Sequence, residues 1–160
     1  MKVCSIFIVK FIHAFIAVVI LETLGDYGKL TRDPWTLTEK VREALGAQIC
    51  QQYADENKVL HVLNLSQSLA QKILDHRADM PGKGPIVAFD PVDARNYIST
   101  MSNAVAAVRE RNYLPIILCP SEVRRLVKSS TELEMPGIIV FSINEVMAAS
   151  PNIKVESIRK

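Results

Sequence analysis

The spacing of apolar residues changes several times along this chain, and each change predicts an element of secondary structure. The clearest change follows the apolar run 114–118, which ends at Cys119. Apolar residues then recur at Val123, Leu126 and Val127. A continuous apolar run is typical of a buried strand, whereas spacings of three and four residues place side chains on one face of a helix. The pattern therefore predicts a buried strand that leads directly into a helix.

The same reasoning predicts an ordered series of elements after residue 57. Strands are predicted at 59–65, 85–89, 114–119, 138–142 and 155–158, and a helix follows each of the first three. Ser66 and Asp90 stand where a side-chain oxygen can cap a helix. Connections of this length suit parallel crossovers, so we predict an α/β fold, a small open, mainly parallel sheet with crossover helices. The buried stripe of the second helix is predicted to be Tyr97, Met101, Val105 and Val108.

Three other features complete this prediction. Residues 79–85 form a loop rich in proline and glycine, which separates a helix from the second strand. A short turn is predicted at Asn144-Glu145, after the fourth strand. The last strand, at 155–158, is more polar than the others.

A partial helical subdomain is predicted before the α/β series. Asp33 can cap a helix that begins at Pro34, and apolar residues then recur every four positions as far as Tyr53. This period predicts one helix of about five turns. Gly46 lies inside it, where glycine costs about 1 kcal/mol relative to alanine. We divide the chain into an atypical hydrophobic N-terminus, a helical piece and an α/β piece, at 1–18, 19–56 and 57–160.

The beginning of the chain is unusually apolar. Residues 3–21 are almost continuously apolar, but Lys10 in their middle would cost a membrane helix about 2.5 to 3.5 kcal/mol. A secretory signal fits slightly better, although no small-residue cleavage site follows the run. Residues 17–28 instead have the pattern of an amphipathic helix with Ile20, Leu24 and Tyr27 on one face. The sequence leaves a membrane segment, a signal and an amphipathic helix open.

Composition limits the class of protein and its partners. The 160 residues suffice for one domain or a small domain with an appendage, and 49% of them are hydrophobic. The net charge of +2 comes from scattered basic and acidic residues, so no nucleic-acid partner is expected. The cysteines and histidines lack metal-ligand spacing, which argues against zinc and favours free thiols in a reducing compartment. These residues are Cys4, Cys50, Cys119, His13, His61 and His76.

One pair of residues has the spacing of a catalytic site. Cys119 and Arg125 match the phosphate-binding loop of cysteine phosphatases, in which backbone N–H groups bind an oxyanion beside a low-pKa thiol. However, Pro120 has no N–H group, and Glu122 would place a carboxylate where phosphate should bind. The segment 82–84 also lacks P-loop spacing. We predict no cofactor and no enzyme, and keep a phosphatase-like hydrolase using Cys119 and Arg125 as the alternative.

Five strings of residues, in the same order and at similar spacing, resemble one protein family. They lie at 20–27, 31–34, 37–45, 118–125 and 140–146. Together they resemble the cytoplasmic domain of the FlhA-type export-gate family of bacterial type III secretion. The resemblance extends over residues 20–158 and concerns the C-terminal part of a full-length member.

The resemblance implies a non-enzymatic component of the flagellar or injectisome export apparatus. Full-length members are anchored in the inner membrane, and their cytoplasmic part forms a homo-oligomeric ring that docks export chaperones with their cargo. The implied partners are other export-gate subunits, these chaperones and cargo, and the export ATPase complex. On this mapping residues 19–56 resemble part of the third, helical subdomain, and 57–160 the terminal α/β subdomain. The implied location is the cytoplasmic face of the inner membrane, with this chain cytoplasmic or membrane-associated.

Residues 1–18 do not resemble the family. A reading-frame change or a mispredicted start is expected there, which would make the chain a truncated or frame-shifted fragment. The alternative is a dedicated short anchor on a stand-alone, membrane-anchored interaction module. Polar residues of the last two matching strings form the candidate interaction surface, namely Glu122, Arg124, Arg125, Asn144 and Glu145.

Overall fold

The structure is a computed structural model that describes the backbone of residues 2–158 and the side chains of residues 13–158. Its elements in chain order are α1 (Lys2–Tyr27), α2 (Pro34–Ala44), α3 (Gly46–Gln51), β1 (Val59–Asn64), α4 (Gln67–Asp75), β2 (Arg77–Met80), β3 (Gly84–Val87), α5 (Pro91–Glu110), β4 (Ile116–Cys119), α6 (Ser121–Thr131), β5 (Ile139–Ser142), α7 (Ile143–Ala149) and β6 (Lys154–Ser157). The side chains of Cys4 and Lys10 lie outside the described residues.

Four parallel strands form the main sheet, in the order β5-β4-β1-β6. One face is covered by α4, α5 and α6, where Val105 and Leu126 pack against Ile117 and Val140. The other face is covered by α3 and α7, which pack on Phe141. This arrangement confirms the predicted α/β fold with an open, mainly parallel sheet.

Local signals placed most helix starts correctly. The Ser66 hydroxyl accepts a hydrogen bond from the Leu69 N–H group at the start of α4. The Asp90 carboxylate does the same for Val92 and Asp93 in α5. The four residues predicted to face the core from α5 are all buried: Tyr97, Met101, Val105 and Val108.

The strand predicted at 85–89 does not join the main sheet. Its observed counterpart β3 pairs antiparallel with β2, so the loop predicted at 79–85 is too long: its ends are paired strand residues, and only 81–83 form the tip of this hairpin. Pro85 lacks an N–H group, which makes β3 unsuitable for the centre of a sheet. The polar sequence of β2 gave no apolar pattern from which to predict a strand.

The helix predicted from Pro34 to about residue 54 is two helices. Asp33 caps α2 as predicted, accepting from the N–H groups of Trp35 and Thr36. However, α2 ends at Ala44, and α3 begins at Gly46 after one non-helical residue. The backbones of α3 and α7 come so close that a Cβ atom on Gly46 would lie 2.5 Å from the carbonyl oxygen of Glu145. Glycine permits this close approach.

A helix stands where a turn was predicted at Asn144-Glu145. The Ser142 hydroxyl accepts from the Glu145 N–H group at 3.2 Å, and the Glu145 carboxylate accepts from the Ser142 N–H group at 2.6 Å. This reciprocal pair is a capping box, and it begins α7. The spacing of serine and glutamate was a readable signal for this helix.

The first helix, α1, packs against α2. Its inner face contains Ile16, Val19 and Ile20, which are half-buried, and Thr23, which is buried. The predicted face is only partly buried beyond Ile20, since Leu24 and Tyr27 are each 38% exposed, although Lys40 of α2 lies over the Tyr27 ring. Among the described residues, no helix combines the length and apolar character needed to span a membrane.

Candidate functional site

A row of polar contacts joins α2 to the N-terminal ends of α6 and α7. Glu39 of α2 accepts hydrogen bonds from Nε and Nη2 of Arg124, each 2.5 Å long. Arg42, almost one turn later, places Nη2 2.7 Å from a carboxylate oxygen of Glu145. The neighbouring Glu43 accepts a hydrogen bond from the side-chain amide of Asn144 at 2.9 Å. We call this set the α2 clamp, and its residues are Glu39, Arg42, Glu43, Arg124, Asn144 and Glu145.

The centre of the α2 clamp is buried. Arg124 is 6% exposed and Glu145 is fully buried. Burial acts to lower the pKa of Arg124, but hydrogen bonds and charge from Glu39 outweigh it and raise the pKa above its ordinary value. Buried charges are tolerated when each is paired, and loss of one partner leaves the other desolvated and unpaired. The clamp therefore fixes α2 to the α/β body through charges that depend on each other.

The predicted interaction residues fall into two groups. Arg124 and Glu145 are buried in the clamp, so they are not available to a partner in this conformation. Each is held there because an oppositely charged residue of α2 faces it. Glu122 and Asn144 are exposed, and Arg125 is half-buried. These three side chains line one groove.

This groove, which we call the α2 groove, lies between α2, the β2–β3 hairpin and the N-terminal ends of α6 and α7. Its volume is about 340 Å³. The guanidinium group of Arg125 lies over the Trp35 ring, 3.7 Å from the ring centroid. A second depression of about 420 Å³ runs along the hairpin and shares Trp35, Arg77 and Pro85 with the groove. The two depressions together make one elongated surface.

The hairpin leaves room for Trp35 at one position. Gly84 has φ +77°, in the left-handed region that favours glycine. A Cβ atom at this position would collide with Nε1 of Trp35. No sequence pattern indicates that Gly84 and Trp35 meet, because they are distant in the chain and belong to separately predicted elements.

The geometry around Cys119 does not support phosphatase chemistry. Its thiol is 1% exposed and donates to the carbonyl oxygen of Phe141. Burial raises the pKa of Cys119 to about 12, whereas a nucleophilic cysteine needs a lowered pKa. The other residue of the motif, Arg125, is stacked on Trp35. Among the described side chains, no three His, Cys, Asp or Glu residues form a group that could hold a metal ion.

The histidines with described contacts bind neighbouring groups. His61 Nε2 lies 3.3 Å from a carboxylate oxygen of Asp55. His76 Nδ1 lies 2.9 Å from the carbonyl oxygen of Lys72. Both rings also contact aromatic side chains, which accounts for their positions by packing. His13 is exposed on α1.

We expect both described thiols to resist alkylation in the folded chain. Burial is the main cause that raises the pKa of Cys50 to about 11 and that of Cys119 to about 12, so both remain protonated and inaccessible at pH 8. A Cys4→Ser variant limits the assay to these two thiols. Mass spectrometry after iodoacetamide treatment should show no label without urea and two labels in urea. Labelling of Cys119 at the rate seen in urea would contradict this environment.

The fold and the site define a class: an α/β protein with a parallel sheet, to which the helix α2 is fixed by buried ion pairs. Its polar residues mainly join structural elements, and an elongated groove remains open where these elements meet. The chain belongs to the FHIPEP family, whose model matches residues 12–150. This match confirms the predicted resemblance to FlhA-type export-gate proteins.

Several relatives illustrate the match. The flagellar biosynthesis protein FlhA of Bacillus subtilis is 36% identical over 141 residues, covering 88% of this chain and 20% of the relative. The low calcium response locus protein D of Yersinia pestis is 25% identical over 127 residues, covering 79% of this chain and 18% of the relative. The chain thus spans about a fifth of the length of the curated relatives it matches.

Solved structures share the fold. MxiA of Shigella flexneri has a TM-score of 0.75 at 22% identity, covering 89% of this chain and 43% of that chain. A nonameric SctV-C from EPEC has a TM-score of 0.70 at 23% identity, and the match covers 87% of this chain and 40% of that chain. CdsV of Chlamydia pneumoniae, solved as a complex with CdsO, has a TM-score of 0.70 at 24% identity. The match covers 89% of this chain and 41% of that chain.

Proposed function

We propose that this chain is a component of the bacterial flagellar or type III protein export apparatus. The observation that carries the proposal is its membership of the FHIPEP family, with 36% identity to a flagellar biosynthesis protein over 88% of the chain. Its role is to present packed surfaces to other proteins, without catalysis. The buried, protonated thiol of Cys119 and the structural use of Arg124 and Glu145 support a non-enzymatic role.

We further propose that the two pieces of the chain correspond to two subdomains of a longer export-gate protein. Residues 19–56 would belong to a helical subdomain, and 57–160 would form the terminal α/β subdomain. The packing of α1 on α2 supports a helical piece, although α3 also covers one face of the sheet. The proposed location is the cytoplasmic face of the bacterial inner membrane.

As partners we propose other copies of the export gate, export chaperones with cargo, and the export ATPase complex. The nonameric neighbour supports assembly with further copies, and the neighbour solved with CdsO supports contact with another component of the apparatus. The proposed contact surface is now the α2 groove, with Glu122, Arg125 and Asn144 on its lining. Arg124 and Glu145 have a separate role, which is to hold this surface together.

A segment exchange tests the proposed function. The matching segment of Bacillus subtilis FlhA is replaced by this chain, and swimming is measured in a strain without its own copy. We expect partial motility, because the shared fold and 36% identity preserve the packing between segments. The control lacks the segment altogether, and immunoblotting verifies the amount of each protein. A chimera that is present in normal amounts but supports no more motility than this control would contradict the proposal.

A further inference from the structure

Arg125 has hydrogen-bonding capacity that the rest of the described chain does not use. Its Nε atom is buried, and no described atom accepts a hydrogen bond from it. Its guanidinium plane is held against Trp35 at 3.7 Å. A guanidinium group has five N–H donors, and an unmade hydrogen bond at a buried donor costs free energy. A ligand cannot reach the buried Nε, but no hydrogen bond within the described residues uses the Nη donors either, so these have capacity for an acceptor.

The nearest acidic residues of the α2 groove are mostly occupied. Both carboxylate oxygens of Asp33 cap α2, and those of Glu39 bind Arg124. The pKa of Asp33 is lowered mainly by its hydrogen bonds with Thr36. The positive charge of Arg125 makes a small further contribution to this lowering. Glu122 lies on the same helix face as Arg125, but no ion pair joins the two within the described residues. Acidic side chains of the groove therefore neutralise the positive charge of Arg125 only weakly.

The shape and charge of the α2 groove restrict what can bind there. The groove continues into the depression along the hairpin, so its length suits an extended segment of chain. Trp35 and Pro85 supply flat apolar surface to both depressions. Asp33 and Glu122 nearby disfavour a polyanion such as nucleic acid or a phosphorylated ligand. A single carboxylate matches one guanidinium group, and arginine binds carboxylates with a planar pair of hydrogen bonds.

We propose that the α2 groove binds an extended segment of a partner protein that contains one acidic residue, whose carboxylate is held by Arg125 against Trp35. The proposal deepens the proposed function, on which it rests for the identity of the partner as a component of the export apparatus. The chemistry of recognition is testable without that partner. Trp35 provides the signal, because it is the chain's single tryptophan.

The test uses the full chain and two capped peptides of glycine and serine that differ at one central position, which is glutamate in one peptide and glutamine in the other. Binding is measured by Trp35 fluorescence and by calorimetry, since substitution of Arg125 alters the fluorescence by itself. We expect saturable binding of the glutamate peptide, and weaker binding by about tenfold or more for its glutamine twin. Added salt should weaken the binding of the glutamate peptide.

Variants locate this binding on Arg125. Arg125→Gln should reduce the affinity for the glutamate peptide to that of the glutamine peptide. Arg125→Lys should give an intermediate affinity, because lysine keeps the charge but lacks the planar pair of donors. Arg109→Gln removes an equal charge from the exposed face of α5 and should leave binding unchanged. Circular dichroism verifies that each variant is folded.

Two results would overturn the proposal: equal binding of both peptides, including no binding of either, or an Arg125→Gln variant that retains wild-type affinity. The motility of the FlhA chimera is measured separately. A motile chimera without peptide binding would refute the acidic ligand and leave the export function standing. If the chain binds the glutamate peptide but its chimera is immotile, the export function is refuted and the carboxylate site on Arg125 stands.

Discussion

Replacing Glu39 by glutamine is expected to lower the free energy of unfolding by about 3 kcal/mol. The change keeps the size of the side chain but removes the negative charge that faces Arg124. Arginine does not lose its proton in proteins, so the guanidinium group would stay charged and buried, with 7% of its side chain exposed. This loss of stability is at the lower end of the range for broken buried ion pairs. The reason is that Glu39 is 22% exposed, so water can partly replace its carboxylate as a partner of Arg124.

Urea unfolding followed by circular dichroism measures this effect. The matched control is Glu132→Gln, which removes the same charge from a carboxylate that is 64% exposed and 3.6 Å from Lys128. Exposed pairs contribute little, so the control should lose less than about 0.5 kcal/mol. Equal losses of stability in the two variants would show that the Glu39–Arg124 pair contributes no more to the free energy of unfolding than an exposed pair does.

A double replacement separates the pair from its surroundings. Changing Glu39 to leucine and Arg124 to methionine together removes both charges and keeps apolar volume at the contact. Because no buried charge is left unpaired, most of the stability lost in Glu39→Gln should return. The single variants Glu39→Leu and Arg124→Met complete a double-mutant cycle, whose coupling energy reports the interaction across the α2 clamp.

The α2 clamp also connects stability to the proposed binding surface. Glu39 and Arg125 both line the α2 groove, and Arg124 precedes Arg125 on α6. A helix α2 that is loosened by the loss of Glu39 would move Trp35 away from Arg125. Peptide binding should therefore weaken in Glu39→Gln even under conditions where the rest of the chain stays folded.

Sequence patterns predicted those parts of the fold that depend on local periodicity. The buried stripe of α5 repeats with the period of a helix over 20 residues, which is long enough to identify it. The hairpin strands are four residues each, and α7 has seven, so tertiary contacts decide their structure more than composition does. A strand predicted from Pro85 onwards therefore exists, but it pairs with a partner that the pattern did not show.

The candidate site was predictable only in part for a similar reason. Resemblance to a family pointed to the segments that contain Glu122, Arg125 and Asn144, and these residues do lie in a groove. It gave no information on burial, because charged residues are usually exposed and Arg124 is buried only through a partner 85 residues away. Trp35 follows Pro34 in the first turn of a predicted helix, and its contact with Arg125 depends on the docking of α2.

Replacing Gly46 by alanine should show how far tertiary contact overrides local preference. Helix propensity alone predicts that alanine stabilises this position by about 1 kcal/mol. In the structure, the added Cβ atom would lie 2.5 Å from the carbonyl oxygen and 2.8 Å from the Cα atom of Glu145, both of which belong to the backbone of α7. Since backbone cannot rotate away as a side chain can, α3 must shift from α7 and disturb the packing around Cys50. We expect a net loss of about 2 kcal/mol, within the range for overpacked cores.

The matched control for Gly46→Ala is Gly25→Ala, which lies in α1 with no atom within 4 Å of an added Cβ. There the propensity term acts alone, so the variant should gain up to about 1 kcal/mol in the same urea assay. Opposite signs at the two glycines would show that Gly46 is required by the contact between α3 and α7. A gain at both positions would mean that the two helices can separate without loss, and the close packing of the helical piece on the α/β body would then contribute little to stability.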